Sequence, residues 1–189
     1  ITDPSFQAAY IIGQMQHHVV FRQELAAGKP TVSGVINTQN LNSGILQITA
    51  FNNEGLPLAE RLCFIDNKEY IQQAELIADT INFSEKARNH FSLVMKDTVL
   101  GSFSVSVTDP AYDMLPAREN NIFSGLLLTS DLKGYIHNAS WYFTGNADSS
   151  RRAIDLVMMT NGWRRFKWND LIKNKVPENK YKDLSYISL

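Results

Sequence analysis

The stretch "SGILQITAFNNEGLPLAERLCFI", from Ser43 to Ile65, decides the fold. It consists of two apolar runs separated by the polar sequence Asn52–Gly55, whose glycine readily supplies the positive φ of a tight turn. The pattern predicts two antiparallel strands, Ile45–Phe51 and Leu58–Ile65, joined by a hairpin turn. This hairpin is expected to form the centre of a β-sheet.

Two adjacent charges, Glu60 and Arg61, lie inside the second strand of this hairpin. Neighbouring residues of a strand point to opposite faces of the sheet, so these two side chains cannot pair with each other. No nucleophile or proton-transfer partner is evident near them in the sequence. We therefore expect both to be structural or interface residues, each meeting a charge on another strand or on a neighbouring domain.

Further short strands are predicted on both sides of the hairpin. The runs "AYIIGQM", "HVVFRQEL", "TVSGVI", "YIQQAELIA" and "HFSLVM" are rich in β-branched and aromatic residues. In "GSFSVSVTD", Phe103, Val105 and Val107 alternate strictly with serine and threonine, which predicts a half-buried strand. Several short strands separated by turn residues are typical of β-sandwiches.

The pattern changes after Leu115. A helix near 149–161 is predicted from an N-cap at Asp148 or Ser149, an apolar stripe that includes Ile154 and Met158, and a glycine after the last turn. The run "FSGLLLTSDLKGYI" fits a strand and a short helix equally. The predicted fold is mainly β, with tandem immunoglobulin-like sandwiches at 1–66 and 67–115 followed by a partly helical segment at 116–189.

Composition narrows the possible functions. Of the 189 residues, 44% are hydrophobic and 20% are charged, as in ordinary globular proteins, and the formal net charge of -1 gives no field that would favour nucleic acid. Cys63 is the single cysteine, so no internal disulfide can form. No apolar run is long enough to predict a membrane-spanning helix. The start "ITDPSF", without methionine, indicates a segment of a longer protein.

The sequence predicts no catalytic residue, metal site or cofactor, and we expect the chain not to be an enzyme. His17 and His18 are adjacent in a predicted strand and therefore cannot easily hold one ion together. No nucleophile elbow and no glycine-rich phosphate loop are present. Cys63 lies between Leu62 and Phe64, in the setting of a small buried apolar residue.

Aromatic and basic residues alternate in "GWRRFKW", from Gly162 to Trp168. Such a mixture can stack on sugars or bases, but it also suits a segment that anchors a helix to a sheet, which we favour. A ligand-binding role would use these aromatics together with those of the nearby "WYF". The candidate ligand-binding residues are Trp141, Tyr142, Trp163, Arg164, Arg165 and Trp168.

Three stretches resemble the macroglobulin-like domain region of large bacterial envelope proteins. The first is "VINTQNLNSGILQITAFNNEGLPLAERLCFID", although Asn37 stands where that family usually has proline and Ala50 where it has leucine. The others are "LLLTSDLKGYI" with "WYF", and "AIDLVMMTNGWRRFKW". The residues of the first stretch that match are Leu41, Ser43, Gly44, Ile45, Gln47, Gly55, Pro57, Ala59, Glu60, Arg61 and Leu62.

In that family such domains accompany carboxypeptidase-regulatory-like domains and plug domains of TonB-dependent receptors. The resemblance implies a periplasmic or outer-membrane-associated module that contacts neighbouring domains of its own chain and outer-membrane transport proteins. The leading hypothesis is a non-enzymatic structural and interaction module linked to nutrient uptake. A glycan- or peptide-binding module and a protease-inhibitor-like protein lacking the thioester are the alternatives.

Overall fold

The computed structural model describes residues 4–29, 31–96, 104–109, 120–144, 147–163 and 165–175. This part of the chain is mainly β, with six strands in two antiparallel sheets and a few short helices. The strands are β1 (Tyr10–Met15), β2 (His18–Glu24), β3 (Gly44–Phe51), β4 (Pro57–Ile65), β5 (Ala74–Thr80) and β6 (His90–Met95). The helices are a 3-10 turn (Pro4–Phe6), α1 (Ile122–Ser124), a π-helical turn (Gly125–Thr129), α2 (Trp141–Thr144), α3 (Ala147–Thr160) and α4 (Trp168–Ile172).

The larger sheet has the strand order β2-β1-β3-β4. The predicted hairpin is confirmed as β3 and β4, which pair from Gly44 opposite Ile65 to Phe51 opposite Pro57. In its turn, Asn52 Oδ1 accepts hydrogen bonds from two backbone N–H groups, and Gly55 has a φ of 78°. The positive φ that the sequence predicts at Gly55 is therefore present in the turn.

A helical layer covers one face of this sheet, called here the covered face. Ile45 and Leu62 of the sheet form an apolar core with Leu128, Leu132 and residues of α3. The helix predicted near 149–161 corresponds to α3, whose apolar stripe enters this core through Ile154 and Met158. The opposite face has a smaller core of Met15, Leu46 and Ile65, with half-buried side chains around it.

The sequence leaves the conformation of residues 116–148 open. Of the described residues there, 122–129 and 141–144 are helical, as is the start of α3, whereas 130–140 form turns and bends with a β-bridge at Leu132. Asn121 begins α1 with a reciprocal cap, because its side chain accepts the Ser124 N–H at 2.8 Å while Ser124 Oγ accepts the Asn121 N–H at 2.9 Å. Leu128 and Leu132, four residues apart, are both completely buried. Leu128, in the π-helical turn, and Leu132, in a β-bridge with Trp163, therefore both reach the core. No helix in the described ranges has the length and apolarity that a bilayer crossing requires.

The ring of Phe21 on β2 packs closely against Gly13 on β1. A Cβ atom there would lie 2.0 Å from Cε1 of Phe21, so Gly13→Ala is expected to lower the free energy of unfolding by about 1–2 kcal/mol through overpacking. Gly34→Ala is the control, because an added Cβ at that glycine meets nothing within 4 Å. Urea unfolding measures both. In a Phe21→Ala background the cost at Gly13 is expected to fall below about 0.5 kcal/mol, and an unchanged cost would refute the overpacking explanation.

Two predicted strands are wrong in the part of the chain that the structure describes. "TVSGVI" forms no strand, and Val32 and Val35 are 47% and 99% exposed. Ser104–Asp109 is also not a strand, and Val105 and Val107 are 84% and 92% exposed; Phe103 lies outside the described residues. Alternation buries one row of side chains only where a second layer packs on it, and no such layer covers these valines.

The second sheet is a two-stranded hairpin of β5 and β6, and these strands pack mainly against each other. Leu76 and Ile77, which point to opposite faces, are 69% and 40% exposed, and Phe91 of β6 is 54% exposed. An isolated hairpin with both faces solvated is marginally stable in water. The described residues 67–115 thus form a hairpin with open apolar faces.

Candidate binding site

Trp168 fastens the segment 162–168 to the covered face of the larger sheet. Its indole N–H donates to Thr49 Oγ1 at 2.9 Å, and its ring meets Phe51 and Phe166 edge to face, with centroid distances of 5.0 and 5.2 Å. Thr49 itself is buried, at 1% exposure. Trp168 therefore attaches the segment to the sheet through both a hydrogen bond and ring contacts.

Arg165 joins three parts of the chain. Its guanidinium forms an ion pair with Asp131, whose side chain is only 5% exposed, and its Nη1 lies 3.2 Å from Nε2 of His17. His17 belongs to the β1–β2 turn and has a φ of 69°. The Asp131 carboxylate that Arg165 engages is buried, whereas His17 and Arg165 are themselves exposed.

The other predicted binding residues do not converge on one site. Trp163 is 9% exposed and belongs to the apolar core, and its buried indole N–H has no partner among the described residues. Trp141 and Tyr142 lie on α2, and Tyr142 borders a different cleft, beside α3. Arg164 lies outside the described residues. The five candidates that the structure describes are therefore divided between two regions.

An open depression of about 530 Å³ lies between the start of β4 and the segment 162–169, and is called here the Trp168 groove. Its aromatic surface comes from half-buried rings, and exposed charged side chains of both signs stand around it. Trp163 also borders it. The residues that define the groove are Thr49, Glu60, Lys133, Phe166, Lys167 and Trp168.

Glu60 reaches this groove at the end of a row of side-chain amides. Gln47 donates from Nε2 to Glu60 Oε2, and Gln14 donates from Nε2 to Gln47 Oε1. The two glutamines are 1% and 3% exposed, whereas Glu60 is exposed. The sequence predicts a charged partner for Glu60, whereas its partner in the structure is the amide of Gln47. The signal for such a row in the sequence is the presence of Gln14 and Gln47 on otherwise apolar strands.

Arg61 follows Glu60 on β4, an edge strand of the larger sheet, and its side chain meets α3. Its Nη2 lies 2.7 Å from Oδ1 of Asp155, and the two side chains are 40% and 54% exposed. Glu60 and Arg61 thus have separate partners on different elements. The exposure of the Arg61–Asp155 pair makes it a weak contributor to stability.

The cleft beside α3, of about 380 Å³, is lined in part by the single cysteine, Cys63. Burial raises the pKa of the Cys63 thiol above its ordinary value, with the nearby Arg61 acting in the opposite direction. A raised pKa keeps the thiol protonated at neutral pH, and the thiolate is the reactive form. Within the described ranges, no three side chains of His, Cys, Asp or Glu are grouped so as to hold a metal ion.

Comparisons with models of protein families, with curated proteins and with solved structures find no match for this chain. The contacts described above are therefore the basis for assigning a function.

Proposed function

We propose that this chain is a non-enzymatic structural and interaction module of a larger cell-envelope protein linked to outer-membrane nutrient uptake. The envelope context comes from the resemblance of three sequence stretches to macroglobulin-like domain regions. In this proposal the larger sheet and the β5–β6 hairpin belong to successive immunoglobulin-like units, and neighbouring domains of the same chain supply the layers that these sheets lack.

The β5–β6 hairpin is the observation that carries the proposal. Its apolar side chains are exposed on both faces, with Leu76 at 69% and Phe91 at 54% on one face and Ile77 at 40% and Val94 at 44% on the other. Contiguous exposed apolar surface of this kind marks an interaction site in soluble proteins. A hairpin that packs mainly against itself gains little stability alone, so a covering domain would stabilise it.

The contacts that the aromatic and basic residues make within the chain also support a structural role. Trp168 and Arg165 are committed to Thr49 and to the buried Asp131, and Trp163 lies in the core. These contacts hold a helical layer on a sheet. Such an arrangement suits a domain that spaces or positions its neighbours.

A fractionated immunoblot of the source cells, with an antibody raised against this chain, tests the envelope context. We expect a band much larger than 21.4 kDa in the outer-membrane fraction. A soluble band near that mass would overturn the proposal.

Hydrogen exchange tests the covering of the hairpin. Amides of β5 and β6 are expected to exchange about tenfold or more slowly in the protein isolated from cells than in the 189-residue chain alone, because a covering domain suppresses local opening. Strand β3, which is already central in its sheet, is the internal control. Equal exchange of the hairpin in both samples would show that no neighbour covers it.

A further inference from the structure

We infer that the Trp168 groove is a binding site for a neutral oligosaccharide, with Glu60 as its principal hydrogen-bond acceptor. This inference goes beyond the structural role proposed above and concerns residues outside the β5–β6 hairpin. It starts from a carboxylate that is exposed to solvent yet held by buried groups.

The carboxylate of Glu60 is held in one orientation. Surface glutamates usually sample many rotamers, but Gln47 fixes Oε2 of Glu60, and Gln14 in turn fixes Gln47. Burying an amide is unfavourable unless its polar atoms are hydrogen-bonded. Of the oxygen and nitrogen atoms of these two amides, Oε1 of Gln14 lacks a partner in the described part of the chain, and the others are paired in this row. The outward end of this row is the carboxylate. Binding sites hold their contact groups in place by such supporting hydrogen bonds.

The aromatic surface of the groove adds the second element of a sugar site. Trp168 is clamped by Thr49, Phe51 and Phe166, so its half-buried indole is a rigid surface on which the C–H face of a pyranose can pack. Trp163, which borders the same groove, has a buried indole N–H without an acceptor among the described residues.

The charges around the groove favour a neutral ligand rich in hydroxyl groups. Lys133 and Lys167 offer donors, and Glu60 offers an acceptor, so donors and acceptors face the same space. Sugar hydroxyls both donate and accept. A polyanion such as nucleic acid would meet the fixed Glu60 carboxylate, and a purely apolar ligand would leave all three charges without partners.

Isothermal titration of the 189-residue chain with maltohexaose, cellohexaose and xylohexaose tests the inference. At least one of these probes is expected to bind and to change tryptophan fluorescence. Glu60→Gln keeps the shape of the side chain but removes its charge, so binding is expected to weaken about tenfold. The matched control is Glu54→Gln, which changes an exposed carboxylate in the turn of the same hairpin, outside the groove.

A second variant, Lys133→Gln, is expected to weaken binding as well, and circular dichroism establishes that each variant is folded. A failure of all three oligosaccharides to bind would overturn the inference. It would also be overturned by equal binding of the Glu60→Gln and Glu54→Gln variants. Loss of binding in both glutamate variants would equally count against a specific role for Glu60.

Discussion

Replacing Leu132 with alanine is expected to lower the free energy of unfolding by about 4 kcal/mol. Leu132 is completely buried where the helical layer meets the sheet, and its backbone pairs with Trp163. Removing its isobutyl group leaves a cavity that the surrounding side chains fill only in part, which typically costs about 2–5 kcal/mol. Urea unfolding followed by far-ultraviolet circular dichroism measures the change.

The control for this prediction is Leu126→Ala, in the π-helical turn that precedes Leu132. Leu126 is 66% exposed, so its truncation is expected to change stability by less than about 0.5 kcal/mol. Leu132→Met, which nearly conserves volume, is expected to cost less than about 1.5 kcal/mol. Similar losses for Leu132→Ala and Leu126→Ala would mean that the helical layer does not pack on the sheet as described.

Arg165→Met is expected to lower the free energy of unfolding by about 3 kcal/mol. The substitution leaves the Asp131 carboxylate, 5% exposed, without its cationic partner. Removing one member of a buried ion pair typically costs about 3–5 kcal/mol, and we take the lower end because a third of the Arg165 side chain reaches solvent. Chemical unfolding at neutral pH is the measurement.

The exposed pair between Arg61 and Asp155 supplies the comparison. Arg61→Met is expected to cost about 0–1 kcal/mol, since these side chains are 40% and 54% exposed. Combining Arg165→Met with Asp131→Asn is expected to recover part of the loss, because the buried charge is then absent. An effect at Arg165 no larger than that at Arg61 would contradict the assignment of a buried pair.

The elements predicted correctly from sequence are those whose signals are local. The β3–β4 hairpin is marked by Gly55 and its flanking apolar runs, and α3 by its apolar stripe. The predicted N-cap is wrong, because Asp148 and Ser149 both lie inside α3, which begins at Ala147. The alternation of Val105 and Val107 failed as a strand signal because their burial depends on a second layer, which the local sequence does not contain. Local patterns therefore predict elements better than they predict which face is covered.

The candidate site was harder to predict because its contacts join distant parts of the chain. Trp168 and Thr49 are 119 residues apart, and Arg165 and Asp131 are 34 residues apart. Spacing along the chain says nothing about such pairs before the topology is known. The residue types at Trp168 and Glu60 were identified in advance, but their convergence on one groove follows only from the packing of the segment 162–169 against β4.

The attachment of Trp168 to Thr49 has a consequence for the order of folding. During synthesis, β3 and β4 emerge about a hundred residues before the segment that completes their covered face. Contacts between such distant residues form slowly, and a sheet that awaits them has apolar surface open to other chains. Ile45 and Leu62 would be exposed in this interval. A chaperone is therefore most useful to this protein after its sheet has emerged and before residue 168 has been made.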